Sequence, residues 1–363
     1  MPILVAILAF ALIATVLWDA FETVVLPRRV RRRVRITGIV YRASWAPWSA
    51  IARRMPNGDR RESFLSVYGP ISLIVLLAVW ALALILGFGL LQWALGSSVA
   101  ALGAHGGFGT DLYFSGTTFF TLGLGDVIPR SGAARVFTVV EGGTGFAFLA
   151  LVIGYLPILY QAFSRREASV TLLDARAGSP PTAAEFLRRH GPGCPPEELS
   201  TLLRDWERWS AEILEAHLSY QTLMYFRSQH DNESWLSALT VILDVCALIQ
   251  AGIDDMPVFQ ARLTFAMARH AAVDLSQVFN VPPNEKIVHP ERLSPADLAR
   301  LVESLATSGV PLRQQAKALA KLAELRALYE PYVGHLSHLL MAPLPTWLPA
   351  RDAIDDWESS PSE

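Results

Sequence analysis

Cysteine is scarce in this chain, and its absence is informative. Cys194 and Cys246 are too few for a disulfide framework, and no CxxC pair is present to hold zinc. Acidic and basic residues nearly cancel, leaving a net charge of -2 over 363 residues, which excludes a bulk affinity for nucleic acid. No Lys or Arg precedes Arg28, so the first apolar segment lacks the basic start of a secretory signal. Beyond residue 165 there is no convincing strand-like alternation and no strand leading into GxGxxG, which excludes a dinucleotide-binding domain there.

Long apolar runs, in contrast, are plentiful. The chain is 52% hydrophobic yet 18% charged, a mixture that suits a membrane portion joined to a water-soluble one. Three segments are long enough to cross about 30 Å of hydrocarbon, which takes about 20 residues. Residues 3–26 carry Asp19 and Glu22 in their last third, residues 67–95 carry no charge, and residues 136–160 carry one acid, Glu141. Because RRVRRRVR follows the first segment and would resist translocation, that segment is expected to be an uncleaved anchor with its N-terminus outside.

Loop charges orient the rest. Residues 28–62 hold eleven arginines against two acids, Asp59 and Glu62, and are expected to be cytoplasmic, as are Arg165 and Arg166; residues 96–112 have no Lys or Arg and are expected outside. These placements agree only if residues 113–129 enter the membrane and return to the same side. Residues 111–120 (DLYFSGTTFF) read as a short helix, and 121–126 (TLGLGD) place a glycine at every second position. Glycine reaches positive φ without steric cost. Alternating it with ordinary residues turns successive carbonyls the same way, and a ring of such oxygens can replace the hydration shell of a cation. The negative end of the short helix favours a cation at the same place.

Residues 67–160 resemble the tetrameric potassium channel family, whose filter reads Thr-x-Gly-Tyr/Phe-Gly-Asp. The matching residues here are Thr121, Leu122, Gly123, Leu124, Gly125 and Asp126; Pro129, Arg135 and Gly145 fall at family spacings, and Tyr113 and Phe114 give the aromatic start of the pore helix. The resemblance implies an all-α membrane protein with a pore module (outer span 67–95, pore helix 111–120, filter 121–126, inner helix 134–160, the whole domain covering 67–164). It implies ion coordination by Thr121, Leu122, Gly123, Leu124 and Gly125, bracing of the filter by Asp126, and a gating hinge at Gly145. Gly142, Gly143 and Gly145 read equally well as close-packing positions between helices. Thr117, Thr118 and Glu141 are expected to support the filter, with Glu141 hydrogen-bonding the pore helix around Thr117 or Thr118. One loop per chain implies a homotetramer, with permeant K⁺ in place of any cofactor and no catalysis. Leu124 departs from the family's aromatic residue, which leaves a non-selective cation channel as an alternative; a non-conducting receptor or scaffold is a second one.

The flanking regions complete the expectation. Residues 1–26 form the anchor, and 27–66 form a basic interfacial segment in which Arg28 to Arg54, with Trp45, Trp48, Ile36 and Ile51, suit anionic headgroups. Residues 165–363 read as a cytoplasmic bundle of about five to seven helices, over 195–226, 235–253, 257–279, 294–307 and 311–340. The apolar run 235–253 reads as a buried helix because Ser237, Thr240 and Asp244 recur on one face. His335 and His338 sit at metal-ligand spacing with Glu330 nearby, although such pairs are more often structural. Cys246 reads as core, and His230 and Asp231 as a polar loop and cap. No arginine-repeat voltage-sensing helix is present. The expected location is the bacterial inner membrane, as a multi-pass protein.

Overall fold

The computed structural model describes residues 2–26, 35–96, 99–101, 107–228, 233–279 and 291–350. Arg28 to Arg33, the His230–Asp231 loop and the acidic tail from Asp352 lie outside the described residues. The architecture is all-α apart from one pair of short strands, and the chain divides into two compact units, 1–54 with 67–161 and 55–66 with 162–363.

In the first unit, α1 (Pro2–Ala20) continues through a π-helical turn at Phe21–Val25, α2 covers Ile36–Ala52, and α3 runs from Asp59 to Ala94. The α3 helix starts before the apolar run because Asp59 and Glu62 occupy its first turn, where acids suit the positive end of the helix. Helix α1 buries Ala9, Ile13 and Val16, and a Cβ added at Gly87 of α3 would meet Ile13 Cγ1 at 2.6 Å. Small residues bring the two helices close where lipid offers no hydrophobic drive for association.

The end of α1 is fixed by polar contacts. Asp19 is fully buried, and its Oδ2 accepts from the Thr37 backbone N–H at 3.0 Å, the Thr37 hydroxyl at 2.6 Å and Trp80 Nε1 at 3.0 Å. The carboxylate therefore caps the N-terminus of α2 while holding α3. Arg35 donates to Thr23 Oγ1 at 2.8 Å and lies 3.8 Å from Asp19. Helix α2 turns Tyr41 and Trp45 inward, and Trp45 packs edge-on against Tyr68 at 4.7 Å, so this tryptophan is core rather than a headgroup contact. Ile39, Arg42 and Ile51 remain exposed.

Strand β1 (Val99–Ala101) precedes α4 (Phe108–Phe119) and pairs antiparallel with β2 (Val127–Pro129), Ala100 opposite Ile128. Three-residue strands leave too little alternation to be read from sequence. Helix α5 then runs without interruption from Gly132 to Ala177, far past the expected end at 160, because the polar stretch that follows the span is itself helix-forming.

The second unit is built around α8 (Trp235–Gly252), buried at every position from Trp235 to Ile249, with α9 (Val258–Val278) packed between it and α7 (Pro196–Ser219) and later helices covering its other sides. This helix is long and apolar enough to cross a membrane, yet protein covers it on all sides. The helix α6 (Ala183–His190), capped by Thr182, was not apparent from sequence. Helix α10 covers Pro295–Thr307, and the expected single helix over 311–340 is two, α11 (Gln315–Ala327) and α12 (Glu330–Leu340). Pro331 sits in the first turn of α12, where its missing N–H costs nothing and its ring favours a helix start. The long pattern 195–226 ends in a 3₁₀ turn at Gln221–Tyr225, whose carbonyls are taken by a buried arginine: Arg166 donates to Leu223 O at 3.0 Å and Phe226 O at 2.8 Å.

His217 of α7 is fully buried, with Nδ1 2.8 Å from the Ile213 carbonyl. Burial, and then the nearby Arg166 charge, push its imidazole from 6.5 down to about 3. Between these values the unfolded chain binds a proton that the folded chain refuses, so stability falls with pH by about 1.4 kcal/mol per unit. His217→Gln is expected to shrink the drop in melting temperature between pH 7 and pH 5, read on the full chain in detergent.

Candidate functional site

The segment between α4 and α5 carries the site. Helix α4 has only 12 residues, with Asp111 buried in its first turn. Its last turn is closed by the chain that follows: Thr121 N–H donates to Thr118 O at 3.0 Å and Leu122 N–H to Thr117 O at 2.8 Å. Thr117 and Thr118 thus act through their carbonyls, while the Thr117 hydroxyl returns to Phe114 O at 2.9 Å.

From there the backbone alternates. Thr121, Gly123 and Gly125 have φ of 56°, 58° and 77°, whereas Leu122 and Leu124 keep ordinary negative values. Glycine enters this region freely; threonine does so against steric resistance, a strain on the order of 1 kcal/mol that marks an over-determined site. Among the described residues no donor meets the carbonyls of Thr121 to Gly125. The Leu122 and Leu124 side chains are 60% and 62% exposed within one chain. At membrane depth, carbonyls without partners would be tolerated only where protein or a water-filled path covers them.

Two ties hold this loop. Asp126 accepts from the Tyr113 hydroxyl at 2.9 Å, so the end of the loop is tied to the first half of α4 by a polar contact that Leu124 cannot make. The β1–β2 pair fixes the chain just after Asp126. Neither tie was apparent from sequence, although Tyr113 and Asp126, thirteen residues apart across a short helix and its return, were the available signal.

Behind the loop, Glu141 of α5 is fully buried, and its carboxylate meets the Ser115 hydroxyl, one helical turn away from the expected partners Thr117 and Thr118. Ser115 Oγ also lies 2.7 Å from the Ile85 carbonyl, so one side chain joins α3, α4 and α5. Side chains on α4 lie over the turn N-terminal to their own Cα, which puts Ser115 at the level of Glu141. Gln92 adds a bond to Ala134 O at 3.3 Å. Gly145 lies against the Phe119 backbone, where a Cβ would overlap the Phe119 carbonyl, and Phe119 packs on Phe148 at 5.7 Å. The opposite face of α5 is bare: Val136, Val139, Phe146, Leu149 and Ile153 are all exposed in the single chain.

The other residues picked out by sequence lie apart from this loop. His335 Nδ1 is 2.6 Å from the Pro331 carbonyl, and Glu330 pairs with Arg292 and Arg326. Among the described residues no three His, Cys, Asp or Glu side chains gather as a metal site. Cys246 is fully buried in α8, where burial raises its thiol well above the usual range.

Comparison with known proteins bears on this hairpin. Residues 72–162 match the model of the family described as Ion channel. This segment is similar to that ion channel family. The match spans α3 from Ser72 onward, all of α4, the loop after it and α5 as far as Ala162. The chain is also 23% identical over 206 residues to a Bacillus subtilis (strain 168) protein named Uncharacterized membrane protein YdjJ, covering 56% of this chain and 59% of that protein's length. No solved structure matches the chain. With several long apolar helices and these relatives, the protein is a membrane protein.

Ser115→Ala removes the hydroxyl that joins three helices and strands the buried Glu141 carboxylate, at a cost of about 1–3 kcal/mol. The full chain in detergent is expected to melt at a lower temperature. Thr144→Val, which deletes only a bond to Val140 O on the same helix at 2.8 Å, is expected to melt close to the parent.

Proposed function

We propose that the protein is a potassium channel in which four copies assemble about a cyclic axis and pass dehydrated K⁺ through a ring of Thr121 to Gly125 carbonyls. The observation that carries this reading is the alternation of positive φ at Thr121, Gly123 and Gly125, with carbonyls that meet no donor among the described residues. Such oxygens substitute for water around a cation only when several copies converge. The exposed apolar face of α5 supplies the surface on which copies would pack. Flux is passive, so no catalytic group or cofactor is required.

In this reading Thr117 and Thr118 close the pore helix, Asp126 and Glu141 hold the filter from either side, and Gly145 lets α5 bend as the gate moves. Gly145 is also the closest approach of α5 to the pore helix, so the bend is coupled to Phe119. The arginine-rich segment from Arg28 to Arg54 faces the cytoplasm and anionic lipid, the N-terminus lies outside, and the helical unit is cytoplasmic, all within the bacterial inner membrane. The exposed Arg42, Arg53 and Arg54 support the lipid contact.

A second reading, a non-selective cation channel, draws support from Leu124, whose exposed side chain gives the loop no aromatic packing. Purified protein in liposomes separates the two: flux of K⁺ well above Na⁺ is expected, equal flux would favour the second reading, and no flux would leave a receptor or scaffold. Gly123→Ala places a Cβ at φ 58°, a strain of about 1–2 kcal/mol in every copy, and is expected to abolish flux while leaving assembly on size exclusion unchanged.

A further inference from the structure

The second unit contains a cavity that the pore does not use. It measures about 560 Å³ and opens among Arg326, Glu330, Ser337 and Leu344, between α11, α12 and the segment after α12. That volume falls in the range of small-molecule sites, about 300–1,000 Å³.

The wall is built around a saturated arginine. Arg292 gives its Nη atoms to the buried Asp244 carboxylate at 3.2 and 2.5 Å, its Nε and Nη2 to Pro345 O at 3.2 and 3.0 Å, and reaches Glu330 at 3.4 Å. Tyr329 adds a hydroxyl to Asp244. The Arg292 charge is thus consumed by Asp244 behind the wall, and what it contributes is position: it fixes Glu330 and holds the 343–347 segment as one side of the cavity. Its guanidinium lies over the Trp347 ring at 5.6 Å, as does that of Arg326.

Arg326 is different. Its Nε donates to Glu330 Oε1 at 3.0 Å, and among the described residues its two Nη groups meet no acceptor. Glu330, whose Oε1 takes the bonds from Arg292 and Arg326, and Glu291 both line the same cavity. One cavity is therefore lined by the Arg326 guanidinium, whose Nη groups meet no acceptor among the described residues, and by two carboxylates, Glu330 and Glu291, while Ala327, Pro331, Gly334, Pro343 and Leu344 make the remainder largely apolar. An anion alone would meet Glu330 and Glu291, and a cation alone would meet Arg326. A ligand carrying both charges on an apolar body satisfies every group.

We propose that this cavity binds an apolar amino acid or short apolar peptide, its carboxylate on the Arg326 Nη groups and its ammonium on Glu330. The inference is independent of the pore: a cavity in the helical unit takes this ligand whether or not the loop conducts.

The test uses the full chain in detergent, with L-leucine and L-phenylalanine as probes and melting temperature as the readout, because a ligand that binds only the folded state raises it with concentration. Both amino acids are expected to raise the midpoint saturably, whereas 4-methylpentanoate, which keeps leucine's carboxylate without its ammonium, and 3-methylbutylamine, which keeps the ammonium alone, are expected to leave it unchanged. Arg326→Gln should weaken the response by about tenfold or more, the loss of a charged hydrogen-bonding pair. Leu344→Trp, which fills the cavity without altering charge, should remove it even if Arg326→Gln folds poorly. No response to either amino acid, an equal response to 4-methylpentanoate, or an unchanged response in Leu344→Trp would overturn the proposal.

Discussion

A peptide carbonyl shut away from water must find a partner, and the loop after α4 is the place where the backbone leaves that requirement open among the described residues. Elsewhere in the apolar segments the backbone closes on itself as helix. At Thr121 to Gly125 it does not, because alternating positive and negative φ prevents the oxygens from reaching the next turn. Away from water such acceptors are costly unless protein or water meets them. The short α4 and the contacts to Asp126 and Glu141 are arranged around this one loop.

Holding such a loop takes polar contacts rather than bulk hydrophobicity, since lipid is as apolar as leucine. Three sites do this in the first unit. Asp19 fastens α1 to α2 and α3, Ser115 fastens α4 to α3 and α5, and Tyr113 fastens Asp126 to the start of α4. In hydrocarbon an unsatisfied polar group is costly, so each contact is specific to one geometry even where its net energy is modest. The second unit is held differently. There α8 disappears into a helical core, and its buried Asp244 is met by Arg292 and Tyr329.

Several of these features could be read from the chain before any coordinates. The apolar lengths announced three long helices, and the alternating glycines announced a reversed backbone between α4 and α5. The polar spacing Ser237, Thr240, Asp244 separated a buried helix from a fourth span. Other features left little trace. Two three-residue strands are too short for a periodic signal, and the break between α11 and α12 rested on a single proline. Glu141 was visible as a costly acid, but its partner was not, because the pairing depends on the rotation of α4 about its axis. The Asp244–Arg292 pair joins residues 48 apart in sequence, and nothing local in either stretch points to the other.

The sequence by itself determined which segments are apolar enough to leave water, where glycine permits a reversed backbone, and how charge is distributed between loops, because hydropathy, steric freedom and charge belong to each residue or to its near neighbours. Tertiary structure alone decided which buried polar atoms meet. Hydrogen bonds form between atoms about 3 Å apart, and separations on that scale between distant segments exist only once the helices have packed.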